Sequence, residues 1–323
     1  MTKQPKDITI GIIGLGSIGL RHANELVSLG VKKIYALRTN KGSKEVPKDI
    51  SQHIVDVYNE SDFLDLPIDG YIISNPTSFH IDAINLVSKN NKALFIEKPL
   101  SNNLTDINRL NNINSDLVQI GFCLRFHNLF KAVKNTLKDN IIGEVFHSRI
   151  NVGQYLPSWH PYTDYRTEYF SKKELGGGAL RTLSHEIDLS FYFFGKPTKT
   201  SVLSGKISNL EINVDDYALM LLSYDNKHTS RIEIDFLSKK KERKGIIFGC
   251  KGDLHYNLLD NTIIIYDLNG EEILNTPIEA NNMYYDQMNA FLTFIDSNGK
   301  IKEGSTWGEN LHIMKIIENE KPI

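Results

Sequence analysis

Three groups of residues in this chain have the types and spacing that chemistry needs: a glycine cluster, a lysine before a proline, and a histidine followed by an aspartate. The first is Gly14-Leu15-Gly16-Ser17-Ile18-Gly19. In such a turn the first glycine makes the bend, the second lets the backbone approach a pyrophosphate, and the third lets helix and strand pack closely. Phosphate oxygens then meet free amides at the helix start, around Ser17 and Ile18. The second group is Glu97-Lys98-Pro99, where the proline pushes Lys98 into extended geometry and a strand ends with a projecting amine. Such an amine can donate to a substrate hydroxyl or carbonyl, and burial beside a cationic nicotinamide lowers its pKa toward acid-base values. A surface lysine at a strand end has the same sequence. The third group is His185 with Asp188, one helical turn apart, where the carboxylate can orient and charge-stabilise the imidazole. A helix-start histidine merely satisfied by that carboxylate reads identically. Leu189 stands where a zinc-binding HExxH helix needs its second histidine, so no metal is expected.

These groups need elements to hold them. Residues 8–13 are apolar and rich in β-branched side chains, and Ala23, Leu26, Val27 and Leu29 follow at helical spacing up to Gly30. The glycines therefore lie in a strand, tight turn and helix. A second strand over 33–38 ends about 20 residues past the glycines, where an NAD-binding fold places Asp or Glu on the ribose 2′-hydroxyl. Leu37, Arg38 and Thr39 stand there instead, with Lys41, Ser43 and Lys44 ahead of the first acid, Glu45. Arg38 can pair with a 2′-phosphate and stack on adenine, which favours NADP over NAD. The other reading makes Arg38 a solvated loop residue in an enzyme that takes both. Strands over 54–57 and 70–74 lead to Asn75-Pro76-Thr77-Ser78-Phe79-His80, which caps a helix carrying Ile81, Ile84, Leu86 and Val87. Ligands of an open parallel sheet lie beyond the carboxyl ends of its strands, so Asn75, Pro76 and Thr77 face the cofactor. His80 either contacts it or caps and packs. A strand over 93–96 brings Glu97 and Lys98 to the same edge, followed by a helical segment to Asn112 and a strand over 117–122.

From Gly143 onward apolar residues alternate with period two, over 144–152, 199–207, 217–224, 229–236, 245–250 and 262–266. This predicts an antiparallel sheet with one face on helices and one free. Residues 1–122 are expected to form a Rossmann dinucleotide-binding domain. Residues 123–323 are expected to form a substrate-binding and oligomerisation α/β domain on a large, mainly antiparallel open sheet, with the C-terminal helix free to pack back on the first domain. An uncovered apolar sheet face invites a homodimer or homotetramer. Gly176-Gly177-Gly178 reads as a flexible lead into the His185 helix. The stretch 153–166 reads as a substrate loop, with Tyr155 and Trp159 offering faces to a sugar ring and Arg166 pairing with an acid or phosphate. Packing of Trp159 on the first domain is the competing explanation.

Composition limits the partners. Among 323 residues, Lys plus Arg is 37 against 39 for Asp plus Glu, a formal net charge of -2 that gives no bias toward nucleic acid. The cluster Lys239-Lys240-Lys241-Glu242-Arg243-Lys244 reads as a solvated hairpin end. Cys123 and Cys250 lie in apolar surroundings with no CxxC partner, which suits buried thiols in the reducing cytoplasm. Residues 1–6 lack an apolar core, and no stretch of about 18 apolar residues occurs, so neither export nor membrane spanning is expected.

The ordered motifs resemble the glucose-fructose oxidoreductase, inositol dehydrogenase and rhizopine catabolism (Gfo/Idh/MocA) family: the glycine turn with Arg21-His22, then 75–80, Glu97-Lys98-Pro99-Leu100, Arg125-Phe126-His127, and the glycine-rich stretch with His185-Glu186-Ile187-Asp188. The stretch 153–166 is similar to a subgroup found with bacterial surface-glycan biosynthesis. The resemblance implies a Rossmann domain followed by an α/β domain with a large open sheet. It also implies reversible hydride transfer between nicotinamide and a carbon of a sugar, nucleotide sugar or cyclitol. Lys98 and His185 then sit at the reacting carbon, Glu97 on the cofactor side, Arg125 and Thr182 on the substrate side, and the Lys98–Pro99 bond is cis. One position departs: many members carry Asp four residues before the His, where this chain has Arg181, with Thr182 beside it. Either His185 works with Asp188 alone, or substrate groups and Lys98 carry more of the proton transfer, or catalysis is weak. Two other functions fit: a reductase of a non-sugar carbonyl or imine, and a non-catalytic dinucleotide-sensing regulator, against which the retained Lys98 and His185 argue.

Overall fold

The computed structural model describes residues 3–39, 45–110, 113–160 and 162–323. Lys41, Ser43, Lys44 and the expected helix end at Asn112 lie outside the described residues. The chain divides into two compact units, Met1–Phe126 with Asn282–Leu311, and His127–Asn281 with His312–Ile323. The first unit thus extends past residue 122 and takes back a segment from late in the chain.

The first unit is a seven-stranded sheet. Its strands are β1 (Thr9–Ile13), β2 (Lys33–Leu37), β3 (Ile54–Val57), β4 (Gly70–Ile73), β5 (Ala93–Ile96), β6 (Val118–Ile120) and the late β15 (Ser305–Thr306), in the order β15-β6-β5-β4-β1-β2-β3. All pairs are parallel except β15 with β6. Helices α1 (Ser17–Ser28), α2 (Lys48–Ser51), α3 (Glu60–Leu64), α4 (His80–Ser88) and α5 (Leu104–Ile107) connect the strands. Every position of β4 and β5 is buried, as strands covered on both faces require. Strand order reverses between β1 and β4, and that switch point opens the crevice in which such sheets bind ligands. A late helix, Met283–Asp296 (named α9 below), starts where the Asn282 side chain accepts the Tyr285 amide, and it inserts Met288, Phe291 and Phe294 into the core with Ile10, Leu26, Ile34 and Phe95. A fully buried phenylalanine of this kind contributes roughly 1.5–3 kcal/mol.

The second unit is a nine-stranded sheet. It comprises β7 (Val145–Gly153), β8 (Lys199–Gly205), β9 (Tyr217–Ser223), β10 (Thr229–Asp235), β11 (Glu242–Gly249), β12 (Gly252–Asn257), β13 (Thr262–Tyr266), β14 (Glu272–Pro277) and β16 (Glu320–Pro322). The order is β14-β13-β12-β11-β7-β10-β9-β8-β16, antiparallel except for β7 with β10 and β8 with β16. Helices α6 (Asn128–Lys138), α7 (Ala179–Thr182) and α8 (His185–Phe194) belong to this unit, and they cover one face, over Ile150, Met220, Ile232, Ile234 and Ile247. The opposite face carries exposed Leu203 and Leu221. Helix α9 lies in the first unit, and α10 (Trp307–Glu318) continues from Leu311 into His312, where the unit assignment changes.

Three sequence expectations need correction. Lys239–Lys241 do not end a hairpin, because β10 and β11 are separated by β7 and the segment is a crossover. Cys123 is buried but Cys250 is exposed. Its apolar neighbours belong to the end of β11, and Cys250 itself sits in the turn to β12, where its sulfur accepts the Glu144 amide at 3.2 Å. Strands β12 and β14 add to the alternating segments read from the sequence. Among the described residues no helix is long and apolar enough to cross a membrane.

Candidate functional site

The glycine turn between β1 and α1 is built by contact. Gly14 has φ +98°, and a Cβ there would stand 2.3 Å from the Asn75 backbone nitrogen. A Cβ on Gly19 would stand 2.0 Å from the Gly14 carbonyl, so only hydrogen lets α1 approach β1. The Ser74 hydroxyl donates to that carbonyl at 2.8 Å and ties β4 to the turn. Gly16 differs: nothing lies within 4 Å of its would-be Cβ. It is also the N-cap of α1 and offers no capping side chain, and the first turn carries no acidic residue. The amides of Ser17, Ile18 and Gly19 therefore begin a twelve-residue helix with its positive end uncovered.

That end opens on a cavity of about 1290 Å³ lined by Gly14, Leu15, Gly16, Leu37, Arg38, Thr39, Glu60, Asn75, Pro76 and one face of α4. Asn75 Oδ1 is buried on this wall without a hydrogen-bond partner. Open glycine, uncapped helix start and orphaned acceptor fit a dinucleotide: pyrophosphate on the α1 amides, ribose and adenine beside Leu37, Arg38 and Thr39. Arg38 is half-buried, and its Nη1 lies 3.3 Å from Asp56 Oδ1 at the end of β3. Thr77 begins a short turn and is not on the wall. His80 is fully buried, its ring nitrogens 3.0 Å from the Pro99 and Asn75 carbonyl oxygens. It fastens two loops to each other and does not face the cavity. Burial holds its pKa below the usual histidine value.

Glu97 and Lys98 follow β5. Glu97 Oε1 lies 2.7 Å from Nε2 of buried His22 on α1, and Oε2 accepts the Lys98 amide at 3.2 Å. Gly121 makes room for this carboxylate, since a Cβ there would stand 2.9 Å from it. The Lys98–Pro99 peptide is cis. The carboxylate is thus committed to the backbone that presents Lys98, and it is not on the cavity wall.

In the second unit His185 is the first residue of α8, half-buried, while Asp188 is fully buried. The glycines before them are not flexible. A Cβ on Gly177 would meet the Tyr169 and Phe170 carbonyls at 2.6 Å, and one on Gly178 would meet Asp215 Oδ1 at 2.1 Å. Asp215 takes the Leu180 amide at 2.8 Å and the Ala179 amide on its backbone carbonyl, fixing the start of α7. Burial raises the Asp215 carboxyl to about 6. Glu186, fully buried, pairs with Arg243 of β11 at 2.8 Å and anchors α8 to the sheet. Thr182 is buried on α7, and Arg181 lies 3.9 Å from Glu320.

Three expected substrate groups are engaged elsewhere. Arg125 is buried, donates to the Gly304 carbonyl at 3.1 Å, and pairs with Glu309 at 3.1 Å. Burial pushes the Glu309 carboxyl up, but Arg125 and the Thr306 amide outweigh it and hold it low. Arg166 is exposed and bridges Asp164 at 2.7 Å and Glu211 at 2.8 Å, so its charge is already matched. Trp159 packs between Phe170 and Phe236, both at 5.2 Å, and donates to the Gln154 carbonyl. These contacts lie within the second unit. Tyr155 lies under the Lys239 ammonium. The sequence reading missed Glu60, Asp56 and the α4 wall, none of which carries a local motif.

Comparison with known proteins agrees with this geometry. Residues 8–117 match a family model described as an oxidoreductase family, NAD-binding Rossmann fold, and residues 130–255 match the GFO/IDH/MocA C-terminal domain. The chain is 26% identical over 277 residues to myo-inositol 2-dehydrogenase of Thermotoga maritima, covering 81% of this chain and 79% of that one. It is 26% identical over 240 residues to scyllo-inositol 2-dehydrogenase (NAD(+)) of Bacillus subtilis, covering 70% and 66%. Among solved structures, levoglucosan dehydrogenase in complex with NADH superposes with a TM-score of 0.79 at 15% identity, over 97% of this chain and 95% of that one. The UDP-N-acetylglucosamine 3-dehydrogenase of Acidithiobacillus ferrooxidans superposes at 0.76 with 15% identity, over 96% and 95%, so both share the fold. With both of its parts matched, the chain belongs to the Gfo/Idh/MocA family of NAD(P)-linked oxidoreductases.

Proposed function

We propose that this protein transfers hydride reversibly between a nicotinamide dinucleotide, NADP favoured over NAD, and a carbon of a sugar, nucleotide sugar or cyclitol. The observation that carries the reading is the uncapped start of α1 beside Gly16, facing a cavity of about 1290 Å³ with Arg38 on its wall. Nicotinamide, when bound, accepts or delivers the hydride. Lys98 polarises the substrate oxygen, His185 moves its proton, and Asp188 steadies the imidazole. Glu97 and His22 hold the backbone that presents the lysine. Relatives named for inositols and structural neighbours named for levoglucosan and UDP-N-acetylglucosamine support a polyol ring as the substrate class. A role in surface-glycan biosynthesis in the cytoplasm, as a homodimer or homotetramer through the open sheet, completes the reading.

Fluorescence titration of the purified protein with NADPH and NADH tests the first half, and saturable enhancement with either is the expected result. The second half is tested by screening inositols, keto-sugars and UDP-sugars for turnover. Lys98→Ala and His185→Ala are each expected to lower kcat about 10²–10⁴-fold with dinucleotide affinity kept. Tight dinucleotide binding with no turnover on any polyol would favour a dinucleotide-sensing regulator instead.

A further inference from the structure

Arg38 carries the cofactor preference, yet it is not a free cation. Its Nη1 lies 3.3 Å from Asp56 Oδ1, with the arginine side chain 19% exposed and the aspartate 36%. Strand pairing makes this contact: β2 and β3 run parallel with Ala36 beside Asp56, and the Arg38 amide donates to the Val57 carbonyl at 2.8 Å. Arg38 lines the cavity and Asp56 does not, so the carboxylate stands behind the guanidinium. A guanidinium has five N–H donors, and one pairing leaves others for a ligand. Glu60 also lines the cavity.

We propose that Asp56 makes this site dual-specific by competing with the ribose 2′-phosphate for Arg38, an inference that rests on the dinucleotide reading above. When the ribose carries only hydroxyls, Asp56 keeps the guanidinium paired, so no lone cation faces the ligand and NAD is tolerated. When the ribose carries a phosphate, Arg38 must be shared, and the dianion meets the nearby carboxylate. Attraction to Arg38 and repulsion from Asp56 then oppose each other. The preference for NADP is compressed rather than abolished. Half-exposed ion pairs are worth up to about fivefold in an equilibrium constant, so the effect is modest and measurable.

The test titrates wild type, Asp56→Asn, Arg38→Ala and the double variant with NADPH and with NADH, following nucleotide fluorescence. In the wild type the affinity ratio is expected to favour NADPH by less than about tenfold, and Asp56→Asn is expected to raise it about two- to fivefold, through tighter NADPH binding, weaker NADH binding or both. A wild-type far-UV circular dichroism spectrum in that variant reports an intact fold. Arg38→Ala is expected to remove the preference, and adding Asp56→Asn to it should then move the ratio by less than about twofold. An unchanged ratio in Asp56→Asn overturns the inference. So does an equal shift in the Arg38→Ala background, which would make Asp56 only part of a general negative field. Binding of neither nucleotide to the wild type would overturn the dinucleotide reading and this inference together.

Discussion

Two glycine-rich turns, one in each unit, both lead into helices, and only one of them is open. Around Gly14, Gly16 and Gly19 the outer glycines are pressed against backbone while the middle one touches nothing, and α1 starts without a cap. Around Gly177 and Gly178 the amides are taken: Gly177 donates to Lys172, Gly178 to Phe170, Ala179 and Leu180 to Asp215. The first turn presents unspent donors to a cavity, whereas the second has closed its own hydrogen bonds and serves as a joint. A glycine pattern therefore becomes an anion site only where tertiary structure leaves the amides unused.

The largest test of that comparison is Gly19→Ala. Its Cβ would overlap the Gly14 carbonyl, and forced overpacking against backbone is expected to cost at least about 3 kcal/mol. Thermal unfolding reads the loss. Gly16→Ala should do the opposite, leaving stability within about 0.5 kcal/mol while weakening NADH and NADPH at least tenfold, because its methyl stands where the pyrophosphate approaches. If Gly16→Ala binds nucleotide normally, the open turn is not the phosphate cradle. Gly178→Ala is the counterpart in the second unit. With φ +111° and Asp215 at 2.1 Å, it should destabilise by about 1–3 kcal/mol without changing dinucleotide affinity.

A smaller effect sharpens the picture of the closed turn. Burial raises the Asp215 carboxyl to about 6, so folding favours its protonated form, and its contribution to stability falls as pH rises from about 4 to 6. Burial pushes His228 down to about 4, so folding favours the neutral imidazole, and stability falls as pH drops from about 6.5 to 4. Each amounts to at most about 3 kcal/mol, and the two oppose each other over the same window. Urea unfolding of the wild type should vary little between pH 4.5 and 6.5 on their account. Asp215→Asn keeps an acceptor for the Leu180 amide but removes one partner of the balance, so that variant should lose stability on acidification. A pH-independent Asp215→Asn protein would remove the case for a raised carboxyl at this turn.

What the sequence made legible follows from range. The parallel strands are short apolar runs and the open sheet alternates, so period separates the two halves without structure. β12 was missed because Asp253, His255 and Asn257 face the open side and only Leu254 and Tyr256 are buried among its side chains, and β14 has no buried position. In the site, the glycines and Glu97-Lys98-Pro99 act through their own neighbours in sequence. Asp56, 18 residues from Arg38, and Glu309, 184 residues from Arg125, act across the fold. Arg125 and Arg166 read as ligand-binding cations because their acidic partners cannot be paired from one sequence. Trp159 read as a sugar platform because Phe236, which it packs against, lies just past the end of β10, far along the chain.

The smallest expected effect bears on the open sheet. Leu221 and Met220 are adjacent on β9 and point to opposite faces, the first 55% exposed and the second fully buried. Met220→Ser should cost about 2–5 kcal/mol, whereas Leu221→Ser should change monomer stability by no more than about 0.5 kcal/mol. The same face carries exposed Leu203, which pairs with Leu219 and lies diagonal to Leu221, and apolar side chains on neighbouring strands suit burial against a second copy. Leu221→Asp then separates the two roles of the sheet. Sedimentation should report a shift toward monomer at unchanged far-UV spectrum if the open face is the subunit contact. An unchanged sedimentation coefficient would leave β9 a one-sided strand whose outer leucines face water, and would remove the open face as a subunit contact.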